Sequence, residues 1–307
     1  MKPLTRRQII AAGAGAMGAT FSLAEASAAA RASFTFVHIT DTHIQPELGA
    51  AEGVRKAFQA VKALPHKPAF GLVGGDLVMD AAFVTRSRAD LVYLLWRQEA
   101  EMLGLPLYYS IGNHDLYGLS VNGKAATDDP DYGKALWRKR IGVDQSYGKF
   151  DHQGWRFVTL DSVGITPQNS WEGTLSDSQL QWLDQLLRDT PITTPMVFLT
   201  HFPIFSAITQ YTEGTTAKPS AGTLVKNGKQ FREMVEKHNV KAVFQGHTHV
   251  VEEIDYLGVR YITGGAVCGD WWKGPRFGVH PEGFSVVTVN GDDLSWRYVP
   301  YGWHART

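Results

Sequence analysis

One cysteine, Cys268, in 307 residues leaves no partner for an internal disulfide and no cysteine cluster for zinc. No cysteine lies near the N-terminus, so a bacterial lipoprotein anchor is excluded as well. Thirty basic and thirty acidic side chains cancel to a formal charge of zero, which provides no general electrostatic footprint for nucleic acid or an anionic membrane surface. Positive charge for a phosphate must therefore be local, and a metal ion can supply it. Past residue 30 there is no low-complexity tract, and no internal repeat or interdomain linker interrupts the chain. What remains is a soluble globular composition, 44% hydrophobic, ample for a sizeable core.

The first thirty residues differ from the rest. Thr5-Arg6-Arg7-Gln8-Ile9-Ile10 precedes a weakly apolar run from Ala11 to Ala24 and a small-residue stretch ending Ala26-Ser27-Ala28-Ala29-Ala30. This resembles a twin-arginine (Tat) export signal, departing from the usual pattern at Ile9 and Ala11. Cleavage after Ala28 or Ala30 satisfies the small-x-small rule. The apolar run is too short and too mild for a good membrane span. The expectation is an export signal over 1–30, handled by the Tat translocase, and a periplasmic or secreted protein with no membrane anchor after cleavage. A frayed helical N-terminus and a retained membrane helix are the alternatives.

The mature chain reads as alternating strands and helices. Ser33 to Ile39 is β-rich, Gly53 to Leu64 has helical spacing, Ala69 to Val73 is a short buried strand, and Phe83 to Leu103 is the longest helical candidate, with Leu91, Leu94, Leu95 and Met102 among its apolar positions. Leu105 to Ile111 is the next strand, and the connections are long enough for parallel crossovers. Ser120 to Gly133 reads as a loop or lid. Tyr147 to His152 and Trp155 to Leu160 form a hairpin through Gln153-Gly154. Ser176-Asp177-Ser178-Gln179 is a capping box. Pro195 to Leu199 is a buried strand, Ser206 to Gly228 a long segment of the kind that is usually functional, and Lys229 to Lys237 a helix before Val240 to Phe244. The remainder, from Val250 on, is β-like, with residues 266–307 as C-terminal strands and a pocket loop of a single domain spanning 31–307.

Five of these strands end in metal-capable residues: Asp41 and His43, Asp76, Asn113 with His114, His201, and His247 with His249. One such ending is a turn; five are hard to obtain from packing. Imidazole, carboxylate and one amide oxygen suit Mn, Fe or Zn, and the lack of thiolates argues against structural zinc. Residues two apart in an extended segment point the same way, so Asp41 and His43 can serve one site, as can His247 and His249.

In motif order, Asp41-x-His43, Gly75-Asp76, Gly112-Asn113-His114-Asp115, His201 and Gly246-His247-x-His249, the chain closely resembles the calcineurin-like metallophosphoesterase family over residues 33 to 265. The resemblance implies an α/β fold, a two-sheet β-sandwich flanked by helices (α/β/β/α). It implies one metal held by Asp41, His43, Asp76 and His249, a second held by Asp76, Asn113, His201 and His247, and hydrolysis of a small phosphate ester by a metal-bridging hydroxide. His114 would be the general acid and Asp115 would hydrogen-bond it. The cofactors would be two divalent or trivalent transition-metal ions. The chain looks more like the bacterial cyclic-nucleotide phosphodiesterase-like branch than the purple acid phosphatases, which add a tyrosine after Gly-Asp where this chain has Leu77-Val78-Met79-Asp80. Phosphodiesters, phosphomonoesters and phospholipid head groups all remain open as substrates. The rival is a non-catalytic binding protein on the same scaffold.

Beyond the motifs, Trp271, Trp272, Lys273 and Arg276 either wall a substrate pocket or, in the case of the indoles, cover the core. His280 is a weaker pocket candidate. His38 reads as a core histidine, Cys268 as a small buried hydrophobe, and Asp161 as either a support for the site or a turn former. His66, His152, His238 and His304 read as surface residues.

Overall fold

A computed structural model describes residues 33–306, so the expected export signal lies outside the described residues. The elements begin with β1 (Phe34–Ile39), α1 (Ala50–Lys62), β2 (Gly71–Val73), α2 (Arg86–Leu103), β3 (Leu107–Tyr109) and α3 (Ala135–Ile141). There follow β4 (Gly148–His152), β5 (Trp155–Thr159), β6 (Val163–Ile165), β7 (Trp171–Gly173), α4 (Asp177–Arg188) and β8 (Met196–Leu199). The chain closes with α5 (Ile208–Glu213), α6 (Gly228–Val235), β9 (Val240–Gln245), β10 (Val251–Tyr256), β11 (Val259–Gly264), β12 (Gly283–Asn290) and β13 (Asp293–Pro300).

The strands form a five-stranded sheet, β13-β12-β1-β2-β3, a six-stranded sheet, β10-β11-β9-β8-β5-β4, and the small β6-β7 hairpin. The motif-bearing strands run parallel to their motif-bearing neighbours, β1 with β2 and β2 with β3 in one sheet and β8 with β9 in the other, where β8 is parallel to β5 as well. Parallel neighbours finish at the same edge, so all five motif-bearing loops leave from one end of the sandwich. Strand alternation decides what fills the space between the sheets. Phe34 and Phe36 of β1 join Phe70, Phe157 and Phe244 in one buried cluster, with Phe36 stacked on Phe70 at 5.1 Å and edge-on to Phe157 at 5.5 Å. Truncating one of these rings to alanine is expected to cost about 3–5 kcal/mol. Val37 and Ile39 face the opposite way, into the cluster that holds Val54, Phe58 and Val61 of α1 and Val92 and Trp96 of α2. On the other sheet Phe198 meets Phe231 of α6 edge-on at 5.1 Å.

Three local outcomes differ from the sequence reading. Helix α2 turns Ala89, Val92, Tyr93, Trp96 and Leu103 inward and leaves Leu91, Leu94 and Met102 at 41%, 43% and 50% exposure. Its inward stripe follows the i, i+3, i+4, i+7 rule through the aromatic positions rather than the leucines. The Ser176 hydroxyl caps α4 by accepting from Gln179 N at 3.3 Å, but the Gln179 amide does not return to the cap; it clamps the backbone of Asp161 at 2.8 and 2.7 Å. The β6-β7 hairpin, helix α3 and helix α5, which lies within the Ser206 to Gly228 segment expected to lack regular structure, are not anticipated by the sequence reading. Among the described residues no helix is long and apolar enough to cross a membrane.

Candidate metal centre

The five loops converge as their sequence positions imply, and the backbone that aims them is unusual. Asp41, His43, Asp76, His247 and His249 all have positive φ, 53°, 39°, 50°, 69° and 61°. Side-chain-bearing residues hold such angles only where surrounding contacts over-determine them. Those contacts are present: Asp41 N donates to Gly75 O at 3.1 Å, His43 N to Asp76 O at 3.0 Å, and Gly246 N to His201 O at 3.0 Å. Two glycines allow the approach. A Cβ on Gly112 would lie 2.1 Å from Asp76 Oδ1, and one on Gly246 would lie 2.3 Å from Thr40 Oγ1.

Asp76 is central. Its Oδ1 accepts from His114 N at 2.8 Å, leaving Oδ2 at 3.2 Å from His201 Nε2 and 3.5 Å from His43 Nε2. On one side, His43 Nε2 faces His249 Nε2 at 3.2 Å, with Asp41 Oδ1 at 3.4 Å from the latter. On the other, His201 Nε2 faces Asn113 Oδ1 at 3.1 Å, and the ligand atoms of Asp76, His201 and His247 all lie within 4.8 Å of one another. The far ring nitrogens are committed to backbone carbonyls. His201 Nδ1 donates to Gly74 O at 2.8 Å, His249 Nδ1 to Gly269 O at 2.7 Å, and His247 Nε2 to Gly222 O at 2.9 Å. Each such bond fixes the tautomer and turns the other nitrogen's lone pair inward, as metal-binding histidines require. Asp41 is held by the Thr40 hydroxyl at 2.6 Å and by His247 N at 3.1 Å.

Lone pairs and carboxylate oxygens gathered at 3.1–3.5 Å are satisfied by a cation or a proton between them. Without a metal, protons take part of that role. Burial opposes charge on His201, but the Asp76 carboxylate prevails and raises it to about 9. Burial likewise favours a neutral Asp41, yet the adjoining His249 holds its carboxyl below the ordinary value. Asp76 lies well below its ordinary value despite burial, through His201, His114 and His43. Burial keeps His43 neutral and, with His201, pushes His247 down to about 4. The Cys268 thiol lies 3.7 Å from His249 Nδ1, the nitrogen already bonded to Gly269 O, so it sits behind the ring rather than in the centre.

The pattern of the calcineurin-like phosphoesterases matches residues 34–251, more than two thirds of the chain. The protein belongs to that family. This metallophosphoesterase is thus an enzyme of phosphoester hydrolysis, in a family that depends on a binuclear metal centre. It is similar to the 3',5'-cyclic adenosine monophosphate phosphodiesterase CpdA of Escherichia coli (strain K12), 23% identical over 273 residues that cover 85% of this chain and 84% of the relative. Its counterpart from Vibrio vulnificus is 22% identical over 269 residues, covering 86% and 84%. Among solved structures, a dimetal phosphatase from Danio rerio superimposes with a TM-score of 0.57 at 18% identity, covering 88% of this chain and 99% of that one. GAP50, the anchor in the inner membrane complex of Plasmodium, gives 0.52 at 13% identity, covering 88% and 85%. At such identities the two structures attest the α/β sandwich fold.

Two expectations about the metallophosphoesterase site are corrected. Asp115 does not touch His114; its carboxylate accepts from Leu77 N at 2.8 Å, Gly112 N at 2.9 Å and Val78 N at 3.4 Å, tying the Asp76 loop to the Asn113 loop. The carboxylate facing His114 Nδ1 is Asp80 Oδ1, at 3.7 Å, itself anchored by Ala82 N at 2.7 Å. Its place in sequence, four residues after Asp76 on the same loop, was the available signal. Burial raises the Asp80 carboxyl, with His114 opposing.

The tryptophan pair also splits. Trp272 is buried at 1% exposure, fills the space over Gly53, donates from Nε1 to His43 O at 3.0 Å and meets Trp303 edge-on at 5.5 Å, so it is core rather than pocket wall. Trp271 lies at the centre, 4.2 Å from the His43 ring and 4.9 Å from the His249 ring. Arg276 is engaged by Asp270 at 2.7 Å and by the Phe277 ring at 4.4 Å, and Lys273 is exposed; neither is brought to the metal residues. His280 Nδ1 accepts from Val251 N at 3.2 Å, and Asp161 pairs with Lys134 at 2.6 Å, both structural uses.

Proposed function

We propose that this protein hydrolyses phosphodiesters with two transition-metal ions, one held by Asp41, His43, Asp76 and His249 and the other by Asp76, Asn113, His201 and His247. The observation that carries this reading is the convergence of inward lone pairs and carboxylate oxygens on both sides of Asp76 Oδ2, with the outer ring nitrogens of His201, His247 and His249 already donating to backbone carbonyls. Nitrogen and oxygen donors without thiolate fit Mn, Fe or Zn. When bound, such a pair of ions neutralises phosphoryl oxygens and makes water nucleophilic at neutral pH.

The chain's own residues do the rest. Asp76 would be shared by both ions, and its Oδ1 is engaged by His114 N, leaving Oδ2 free for them. His114 stands at the edge of the cluster with its ring 4.9 Å from that of His43, partly open to solvent. It is placed to donate a proton to the leaving oxygen, a service worth roughly 10²–10⁴-fold. Asp80 faces Nδ1 and orients the ring, which leaves Nε2 for the substrate.

Diesters are preferred in this reading because the relatives at 22–23% identity are named for a cyclic diester. Export through the twin-arginine route, giving a periplasmic or secreted enzyme, belongs to the same proposal and rests on the sequence of residues 1–30: Arg6-Arg7, the mild apolar run after it and the small residues before the mature chain. Hydrolysis of bis- and mono-p-nitrophenyl phosphate after loading with Mn, Fe or Zn tests the activity. Faster diester turnover is expected. No turnover of either ester in protein holding two ions per chain would move the reading to a non-catalytic binding role.

A further inference from the structure

His114 does not stand alone at the edge of the centre. The Trp171 ring lies 5.6 Å from it and the Trp271 ring 5.2 Å from it. Phe83, 42% exposed, extends the first wall at 5.3 Å from Trp171. Both indoles are half-buried, unlike Trp272 in the core.

Both walls are held fixed to the centre. Trp171 sits on β7, two residues before Gly173, whose N–H bonds Ala221 O at 2.5 Å; the next carbonyl, Gly222 O, receives the His247 ring. The turn of the β6-β7 hairpin is tied from outside by the Tyr132 hydroxyl, which donates to Asn169 Oδ1 at 2.7 Å. Trp271 is locked in a left-handed backbone, φ 57°, beside the anchored Trp272.

Building on the phosphodiesterase reading, we propose that Trp171, Trp271 and Phe83 form the leaving-group subsite, selecting phosphate esters whose departing alcohol carries a flat ring next to the ester oxygen. The acid marks where the leaving oxygen must be, so groups flanking His114 contact the alcohol rather than the retained phosphate. Two cations near these walls are already matched, Lys226 with Glu172, next to Trp171, and Arg276 with Asp270, next to Trp271, while Lys273 is exposed. The walls therefore offer ring faces and apolar edge to an uncharged group, and stacking between aromatic planes is their chief selective contact.

The test compares methyl benzyl phosphate with methyl cyclohexylmethyl phosphate, whose ring-bearing alcohols have similar acidity and size but differ in flatness. A preference for the benzyl ester in kcat/KM of about tenfold is expected in the wild-type enzyme, the range of one stacked ring. Trp171→Leu should bring the ratio close to one and Trp171→Phe should retain most of it. A wild-type ratio near one, or a ratio unmoved in Trp171→Leu, overturns the proposal. A cyclic nucleotide arm separates a nucleobase from a simple aryl ring as the natural flat group: either one, sensitive to Trp171→Leu, supports the subsite. Competition between benzylphosphonate and cyclohexylmethylphosphonate for the metal-loaded protein, read by tryptophan fluorescence, repeats the comparison without turnover. Equal binding of the two overturns the subsite, whereas selective binding with no hydrolysis of any ester overturns the phosphodiesterase reading and leaves the subsite standing.

Discussion

Replacing Asp80 by asparagine removes one negative charge facing His114 while keeping an oxygen for Ala82 N. The Asp80 carboxylate lies 3.7 Å from Nδ1, beyond a hydrogen bond but within range of ion pairing, and only 16% of its side chain meets solvent. If its role is to hold the imidazole for proton donation, the loss is a fraction of what general acid catalysis supplies, roughly 10–100-fold out of 10²–10⁴. That corresponds to about 1.4–2.7 kcal/mol of barrier. The loss must depend on the leaving group. An alkoxide needs the proton and a p-nitrophenolate does not, so dimethyl phosphate turnover should fall by the full factor and p-nitrophenyl ester turnover by less than about threefold. Asp115→Ala supplies the contrast. It strips the acceptor from Leu77 N and Gly112 N, each buried donor costing about 1–3 kcal/mol, so thermal stability and metal content should fall and all esters should slow alike. The assignment is refuted by an Asp80→Asn enzyme with undiminished alkyl ester turnover alongside an Asp115→Ala enzyme that keeps two ions and slows on alkyl esters alone.

Asp76→Asn removes the charge shared by both sides of the centre and should leave fewer than one ion per chain by elemental analysis, whereas His114→Ala should keep two and lose most turnover. Metal uptake should be proton-coupled: His201 carries a proton below about 9 in the metal-free protein, so affinity should climb as pH rises toward that value, and calorimetry in buffers of differing ionisation heat should register proton release. Gly53→Ala should destabilise although alanine favours a helix by about 0.5–1 kcal/mol, because its methyl would lie 2.1 Å from the Trp272 ring. Overpacking of about 1–3 kcal/mol should prevail, seen as a lower Tm and a shifted tryptophan emission. His38 is buried with neither ring nitrogen partnered, and burial lowers its pKa to about 3 against 6.5 for the free side chain. The unfolded chain therefore binds a proton that the folded chain refuses between those values, so stability is intact above pH 6.5 and falls as pH drops toward 3, by about 2 kcal/mol at pH 5. His38→Leu should flatten that acid limb in denaturant titrations at pH 7 and pH 5.

The convergence of the candidate ligands was legible because metal chemistry tolerates few residue types and because parallel strands deliver them to one edge. Asp41, Asp76, Asn113, His201 and His247 each follow a short apolar run, a signal that needs no knowledge of packing. The strand order of the two sheets is not written locally, since it depends on pairings such as His38 with Ser285, far apart in sequence. The role of Asp115 was misjudged for a related reason. Adjacency to His114 favoured a contact between them, but the tight turn swings the two side chains apart, and a carboxylate 34 residues upstream, Asp80, takes the position. Trp171 lay hidden in the β6-β7 hairpin, although the turn-forming Thr166-Pro167-Gln168-Asn169-Ser170 between two short β-like runs was its trace. Trp271 and Trp272 could not be told apart, because they share residue type and a left-handed backbone, and only tertiary packing separates them: Trp272 over Gly53 and onto His43 O, Trp271 against the His43 ring.

The division of the ligand loops between the two sheets makes the centre a fastener. Asp41, His43, Asp76 and Asn113 leave the five-stranded sheet, and His201, His247 and His249 leave the six-stranded one, so neither sheet alone can assemble either ligand set. An ion that binds only the docked pair adds its binding energy to the docking, about 2.7 kcal/mol for a site at a hundred times its Kd. The five-stranded sheet alone offers three of the four proposed ligands of the first ion, Asp41, His43 and Asp76, and the docking of the other sheet supplies the fourth, His249. Full coordination would therefore certify that the two halves have met.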